Sequence, residues 1–193
     1  LATGIIIQDL AEMVAGAGKP ERLLAAAAAA DILVVAWGPF VYRSLEDTTP
    51  DDWNLTALAN LALPGMLATE AARGMAGRGF GRILLFGGTR TDSIHAYRKN
   101  ASYAAAKTGL GVLVKSVAAE YGTSGVTCTM ICPGFVDTEY LDDTMRSRLM
   151  TMAPGGRLIS ADRIACLASN IISGDAGLTN GAIINADEGL VIH

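Results

Sequence analysis

Tyr103 and Lys107 are the two residues whose types and spacing point most directly to chemistry. The apolar run from Asn100 to Leu110 predicts a helix, and side chains four residues apart on a helix share one face. Because an ammonium group beside a phenol favours the phenolate, we expect Lys107 to lower the pKa of Tyr103 from its usual value of about 10. Such a pair can donate a proton to a carbonyl oxygen, or accept one from an alcohol, near neutral pH.

The elements that must position this pair alternate between strands and helices. Apolar runs predict strands at residues 4–7, 31–36, 82–86, 125–132 and 181–187. Capping residues and apolar periodicity predict helices from residue 20 to 30, 48 to 78, 101 to 121 and 160 to 173, with a kink at Pro64. The pattern predicts a single α/β domain over residues 1–193 with a mostly parallel sheet.

Composition and charge exclude several other classes of protein. The net charge is −4 and hydrophobic residues make up 51% of the chain, so no basic stripe supports binding to nucleic acid. We expect no membrane-spanning segment and no signal peptide. Cys128, Cys132 and Cys166 do not have the spacing of metal ligands, and only two histidines are present, so we expect no zinc site. Free thiols are typical of the reducing cytoplasm, which is the expected location.

Several motifs occur in an order that resembles the short-chain dehydrogenase/reductase family over about residues 9–189. Besides Tyr103 and Lys107, these are Trp53 with Asn60 seven residues later, the Pro133-Gly134 pair after a strand, and the closing Asp187-Glu188-Gly189. The resemblance implies a Rossmann-like, doubly wound parallel sheet. It also implies NAD or NADP as cofactor.

The resemblance assigns roles to residues at matching positions. Tyr103 would be the acid and base, Lys107 would hold the pKa of Tyr103 down and bind the nicotinamide ribose, and Asn60 would hold a water that passes protons outward. Further cofactor contacts would come from Asp9 near the adenine, from Gly38, and from Pro133, Gly134, Val136 and Thr138 beside the nicotinamide.

Two loops depart from the family pattern. The family usually has a serine after its fifth strand, where this chain has Gly88. Thr89 next to it could supply the hydroxyl, and Ser93, His95 and Tyr97 are further possible donors. The loop after the fourth strand keeps only Gly38 of the family's Asn-Asn-Ala-Gly, and Trp37 stands where a small residue is usual.

The glycine-rich turn that holds the cofactor pyrophosphate in the family is not found in the sequence. Thr3-Gly4 resembles its start, but the later glycine positions fall at Gln8 and Leu10. The family's strand order also places its first two strands between the third and the fourth. Three alternatives stay open: those strands lie outside this sequence, a partner completes the sheet, or the remaining strands repack.

The resemblance implies an NAD(P)-dependent oxidoreductase that interconverts a secondary alcohol and a ketone, like a carbonyl or 3-oxoacyl reductase acting on a small molecule. The alternative is a catalytically degenerate subunit that completes or regulates an active partner, and a lyase or epimerase on the same fold is a third. Small residues on the Tyr103 helix (Ala104, Ala106, Gly109 and Gly111) suggest a homodimer or homotetramer, or a hetero-oligomer with another subunit of the family.

Overall fold

The computed structural model describes residues 20–191. The predicted strand at residues 4–7 and the expected adenine contact Asp9 therefore lie outside the described residues. Within the described part, the strands and helices follow one another in the alternating order that the sequence predicts.

Four of the strands form one parallel sheet. The strands are β1 (Ile32–Val35), β2 (Gly81–Phe86), β3 (Val126–Pro133), β4 (Val136–Asp137), β5 (Ile159–Ser160) and β6 (Ile183–Ala186). The spatial order of the main sheet is β1-β2-β3-β6, while β4 and β5 form a separate parallel pair. This is the order that the resemblance predicts for the family's fourth to seventh strands. The described strands have therefore not repacked.

The helices are α1 (Glu21–Ala29), α2 (Pro50–Ala57), α3 (Leu63–Arg78), α4 (Ala101–Tyr121), α5 (Asp143–Met152) and α6 (Ala161–Ser173). Thr49 and Asp52 form a capping box at the start of α2, with Pro50 in the first turn. The helix predicted over residues 48–78 is interrupted by a π-helical turn, Leu58–Ala62, immediately before Pro64. The interruption thus has the form of a π turn between two helices.

Helices cover both faces of the sheet, because alternate strand residues point to opposite sides. Ile83 and Leu85 of β2 belong to the larger core with residues of α1, α3 and α4. Leu84 points the other way and packs with Ile131 and with Ala168 of α6. This arrangement confirms the Rossmann-like α/β fold class.

The small residues of α4 pack inside the chain, contrary to their expected place at a subunit interface. Ala104, Ala106 and Gly111 are buried, because they pack against this chain's own sheet and helices. A methyl group at Gly111 would touch Ile183 of β6. On the outer face of the same helix, Val112 is 71% exposed.

Among residues 20–191, no helix is long and apolar enough to cross a membrane. The same part of the chain contains no cluster of three or more metal-ligating side chains.

Candidate active site

The carboxyl ends of β1, β2 and β3 meet at one edge of the sheet, as the ends of neighbouring parallel strands must. Each end continues into a loop that carries a glycine: Gly38 after β1, Gly88 after β2 and Gly134 after β3. α4 begins near this edge and brings Tyr103 and Lys107 to it. Asn100 at the start of α4 donates its backbone N–H to the carbonyl of Arg43, which ties the helix to the β1 loop.

Lys107 is almost fully buried beneath Tyr103. Only 4% of its surface is exposed, and its Nζ donates a 2.9 Å hydrogen bond to the carbonyl of Phe86, the last residue of β2. The same Nζ lies 5.9 Å from the centroid of the Tyr103 ring. The lysine therefore joins α4 to the end of β2 and places a cation beside the phenol.

The expected lowering of the Tyr103 pKa is wrong for the described structure. Burial raises the pKa of Tyr103 to about 12, because the low-dielectric surroundings disfavour the phenolate. Burial also lowers the pKa of Lys107 to about 8, for the same reason applied to a cation. Desolvation of the pair therefore outweighs the attraction between the ammonium and a phenolate.

Asn60 lies in the π turn between α2 and α3 and is fully buried. Its side-chain Nδ2 donates a 3.0 Å hydrogen bond to the carbonyl of Pro39. Its Oδ1 is buried and has no hydrogen-bond partner among the described residues. Pro64, four residues after Asn60, has no N–H to give to the Asn60 backbone carbonyl. π turns of this kind are frequent at functional sites.

Gly38 is the point where Asn60 and Lys107 come together. A methyl group at this position would overlap Asn60 Oδ1 and lie 3.0 Å from Asn60 Cγ and 3.3 Å from Lys107 Nζ. Only glycine leaves room for both side chains. The one residue that the loop shares with the family pattern is therefore the one that this packing requires.

Gly88 faces the phenol of Tyr103. A methyl group at Gly88 would lie 3.1 Å from Tyr103 Oη and 2.9 Å from Cε1. The buried hydroxyl of Thr91 holds the turn from behind, since it accepts from the Gly88 N–H at 2.7 Å and donates to the Gly88 carbonyl at 2.9 Å. The structure thus places position 88 where a side chain would meet Oη.

The other hydroxyls suggested for this loop are turned elsewhere. Thr89 Oγ1 donates to the carbonyl of Gly134 at 3.2 Å. Tyr97 Oη donates to the carbonyl of Arg90 at 2.7 Å, and Ser93 Oγ lies 2.9 Å from His95 Nε2. Among residues 20–191, no hydrogen bond reaches Tyr103 Oη.

Phe40 packs against the Tyr103 ring. The two rings meet edge to face with centroids 4.9 Å apart, while Phe40 also stacks on Tyr42 at 5.9 Å. Phe40 is 58% exposed, so it forms an apolar rim beside the phenol. Neither Phe40 nor Thr91 was identified from the sequence, because no motif or periodicity distinguishes them from other loop residues.

The expected nicotinamide contacts lie beyond the end of β3. Gly134 is buried and donates its N–H to the carbonyl of Ala186 at 3.0 Å. Pro133 is the last residue of β3. Val136 pairs with Ile159 where β4 lies beside β5, and the partly buried Thr138 follows the end of β4. These residues therefore line the same edge of the sheet as Tyr103.

A helical segment between β4 and β5 borders the site. Arg146 of α5 forms an ion pair with Asp137 at the end of β4. Glu188, which follows β6, pairs with Arg157 at the other end of the segment and with Arg163 of α6. Ion pairs thus connect both ends of this segment to the residues after β3 and β6.

The fold and this edge define a Rossmann-like α/β protein with a tyrosine–lysine pair at the carboxyl ends of its strands. Residues 10–191 match the sequence profile of the family described as enoyl-(acyl carrier protein) reductase. The chain therefore belongs to the short-chain dehydrogenase/reductase family, whose members are NAD(P)-dependent oxidoreductases.

Its relatives carry the names of reductases and dehydrogenases. Acetoacetyl-CoA reductase of Shinella zoogloeoides is 31% identical over 166 residues, covering 82% of this chain and 67% of the relative. 3-oxoacyl-(acyl-carrier-protein) reductase FabG of Escherichia coli is 30% identical over 176 residues, covering 88% and 70%. This chain spans about two thirds of the length of the first of these relatives.

A solved structure agrees with the fold. A gluconate 5-dehydrogenase from Burkholderia cenocepacia J2315, in complex with NADP and tartrate, superposes with a TM-score of 0.79 at 27% identity. The alignment covers 89% of this chain and 71% of that chain.

Proposed function

We propose that this chain is an NAD(P)-dependent oxidoreductase that interconverts a secondary alcohol and a ketone, of the carbonyl reductase or 3-oxoacyl reductase type. The observation that carries the proposal is the assembly of Tyr103, Lys107 and Asn60 around Gly38 at the carboxyl edge of the sheet. The names of the relatives, acetoacetyl-CoA reductase and 3-oxoacyl-(acyl-carrier-protein) reductase, support the type of reaction.

The residues at this edge suit the nicotinamide half of a dinucleotide. The buried Lys107 ammonium has further N–H groups beyond the one given to Phe86, and Asn60 Oδ1 is a buried acceptor without a partner in the described part of the chain. Ribose hydroxyls can both accept and donate, so they match this set of groups. When bound, NAD(P)H supplies a hydride to the carbonyl carbon. The proposal leaves the choice between NAD and NADP open.

In the proposed mechanism, Tyr103 donates the proton from Oη to the carbonyl oxygen of the substrate as the alcohol forms. In the reverse direction it accepts the proton of the alcohol. Lys107 stabilises the phenolate that remains, because the ammonium lies close to the ring in a low-dielectric site. A water held by Asn60 would return the proton from solvent through Lys107.

The high pKa of Tyr103 defines what binding must accomplish. A phenol with a pKa of about 12 donates a proton poorly in exchange with solvent near neutral pH. Lys107, with a pKa of about 8, carries its charge at neutral pH, and this charge favours the phenolate of Tyr103 over the phenol. We therefore propose that Tyr103 gives up its proton only to a bound carbonyl oxygen, where the Lys107 charge stabilises the phenolate that forms.

We also propose that the protein forms a homodimer or homotetramer. Val112 on α4, Met66 on α3 and Leu58 in the π turn are 71%, 39% and 38% exposed. Apolar side chains on neighbouring helices at this exposure favour a second copy as the covering surface. A hetero-oligomer with another subunit of the family stays an alternative.

A catalytically degenerate subunit is the second candidate. It is favoured by Gly88, which offers no donor beside Tyr103 Oη, and by the Thr89 hydroxyl, which bonds to Gly134 instead. Such a subunit would keep the fold and use its helix surfaces to bind a partner, while its own Tyr103 site would catalyse no reaction.

A binding and turnover experiment separates the two. The protein is titrated with NADPH and with NADH while the dinucleotide fluorescence is followed. Oxidation of the bound cofactor by the acetoacetyl thioester of N-acetylcysteamine is then measured. Lys107→Met should weaken dinucleotide binding, whereas Lys115→Met, an exposed lysine on the same helix, should not.

Binding with turnover supports the enzyme. Binding by the wild type without turnover of any carbonyl compound favours the degenerate subunit. No binding of either dinucleotide would refute the proposed reaction.

A further inference from the structure

Two aromatic side chains beside Tyr103 keep much of their surface exposed. Phe40 and Tyr42 lie in the loop after β1, one residue before and one residue after the buried Val41. Phe40 is 58% exposed and Tyr42 is 41% exposed, although large aromatic rings gain free energy when they are buried. Small-molecule sites are lined mainly by apolar and aromatic side chains, so exposed rings at the edge of a reaction site indicate a surface for a ligand.

The rings of Tyr103, Phe40 and Tyr42 form a continuous series, which we call the aromatic row. The Tyr103 and Phe40 rings meet edge to face with their centroids 4.9 Å apart. Phe40 and Tyr42 are stacked at 5.9 Å, with an angle of 25° between the ring planes. Both separations lie in the range in which aromatic rings attract one another. The row therefore begins at the proposed acid and continues over exposed surface.

Contacts with the surrounding chain hold the aromatic row in place. The buried side chain of Val41 anchors the loop between the two exposed rings. Directly after Tyr42, the carbonyl of Arg43 accepts a 2.9 Å hydrogen bond from the backbone N–H of Asn100. The ammonium of Lys99 lies 5.2 Å from the centroid of the Tyr42 ring, which is a cation–π contact. A ligand that binds to rings already held in position loses less free energy in ordering them.

We propose that the aromatic row determines specificity and that the protein prefers ketones with an aromatic ring on the carbonyl carbon. This inference rests on the proposed oxidoreductase function and names its substrate class. The carbonyl oxygen lies at Tyr103 Oη, and the substrate ring packs on the exposed surface of Phe40 and Tyr42. The carbonyl carbon gains the hydride of NAD(P)H, which becomes NAD(P)⁺, and the oxygen gains the proton of Tyr103 Oη. The substrate ring is chemically unchanged and serves only for binding.

An aromatic substituent gains more from this surface than an aliphatic substituent of equal size. Both remove apolar surface from water when they pack on Phe40. Only the aromatic one adds the attraction between rings, which depends on how the two rings are oriented. A pair of ketones that differ only in the aromaticity of one ring therefore isolates the contribution of the aromatic row.

The test compares kcat/KM for acetophenone with kcat/KM for cyclohexyl methyl ketone. The intrinsic reactivity of the two ketones is the same for every variant, so the ratio of the two values is compared between variants. Phe40→Leu should lower this ratio about three- to tenfold, and Tyr42→Leu, farther from Tyr103, should lower it about twofold. Phe80→Leu is the matched control, since Phe80 is an exposed ring directly before β2, at the amino end of that strand. It should leave the ratio unchanged.

Inhibition by the corresponding alcohols gives a readout that does not depend on ketone reactivity. 1-Phenylethanol and 1-cyclohexylethanol are each added to the reduction of the acetoacetyl thioester of N-acetylcysteamine, and their inhibition constants are compared. With the wild type, 1-phenylethanol should bind at least about threefold more tightly. Phe40→Leu should remove this preference, whereas Phe80→Leu should keep it.

A kcat/KM ratio that is the same in the wild type, Phe40→Leu and Tyr42→Leu overturns the inference, as does equal inhibition of the wild type by the two alcohols. A wild type that reduces the acetoacetyl thioester but neither ring ketone also overturns it, and this result leaves the proposed function intact. Turnover of no carbonyl compound at all overturns the proposed function and this inference with it.

Discussion

Replacing Gly38 by alanine tests how tightly the site is assembled. The new methyl group would overlap Asn60 Oδ1 and come within 3.3 Å of Lys107 Nζ. Asn60 is fully buried in the π turn, so its side chain can move only by breaking its hydrogen bond to the Pro39 carbonyl. The substitution therefore places one added carbon atom in steric conflict with Asn60 and in close contact with Lys107.

The expected cost follows from two effects. Overpacking of a close-packed interior costs about 1–3 kcal/mol. Leaving a buried polar group without its hydrogen bond costs about 1–3 kcal/mol more. Because Asn60 can relax partly, we expect a loss of about 3 kcal/mol in the free energy of unfolding. For a chain of this size that is a fall in Tm of about 6–12 °C.

Gly65→Ala is the matched control. Gly65 lies in the first turn of α3, and a methyl group there would meet nothing within 4 Å. Alanine is the better helix former, so this variant should gain about 0.5–1 kcal/mol. Both proteins are melted by circular dichroism under the same conditions. A Gly38→Ala protein that melts together with the wild type would refute the packing around Asn60.

Three further predictions concern single side chains. The folded protein releases the Lys107 proton at a pH of about 8, while the unfolded chain keeps it to about 10.5, so this residue makes stability rise with pH across that window. Denaturant titrations should show the free energy of unfolding of Lys107→Met falling by about 2 kcal/mol, relative to that of the wild type, as the pH rises from about 8 to about 10. A difference between the two proteins that does not change with pH would contradict the lowered pKa of Lys107. Thr91→Val leaves the buried N–H of Gly88 without its acceptor, so the free energy of unfolding in the same titration should fall by about 1–3 kcal/mol. The control Thr69→Val, on the exposed face of α3, should leave this free energy almost unchanged. Among the three cysteines, a thiol reagent should label only Cys166 in the native protein, because Cys128 and Cys132 are buried. In denaturant it should label all three. Labelling of native Cys166→Ser would contradict the burial of the other two cysteines.

Local pattern was enough to predict most of the described fold. β2 and β3 follow from continuous apolar runs that end at Gly87 and Pro133, and α4 follows from its apolar periodicity. The beginning of α2 follows from Thr49 and Asp52, whose capping box is present. These features depend on residues close together in the chain, so the sequence alone indicates them.

Other features depend on three-dimensional packing. The π turn at Asn60 adds one residue to a helical turn, and no local pattern distinguishes it from a kink at Pro64. Whether the pKa of Tyr103 is raised or lowered depends on how deeply the side chain is buried. The helical spacing between Tyr103 and Lys107 does not reveal this burial. Thr89 stands next to Gly88 in the chain, yet its hydroxyl bonds to Gly134, a partner brought near by the neighbouring strand.

The central claim is that Tyr103 transfers the proton in an NAD(P)-dependent reaction. The most direct measurement compares turnover of the acetoacetyl thioester of N-acetylcysteamine by the wild type, Tyr103→Phe and Tyr121→Phe, a control at the far end of α4. We predict that Tyr103→Phe lowers kcat by about 10²–10⁴, the usual contribution of a positioned acid or base, and that Tyr121→Phe stays near the wild type. A Tyr103→Phe protein that is folded, binds the dinucleotide and turns over at the wild-type rate would contradict the claim.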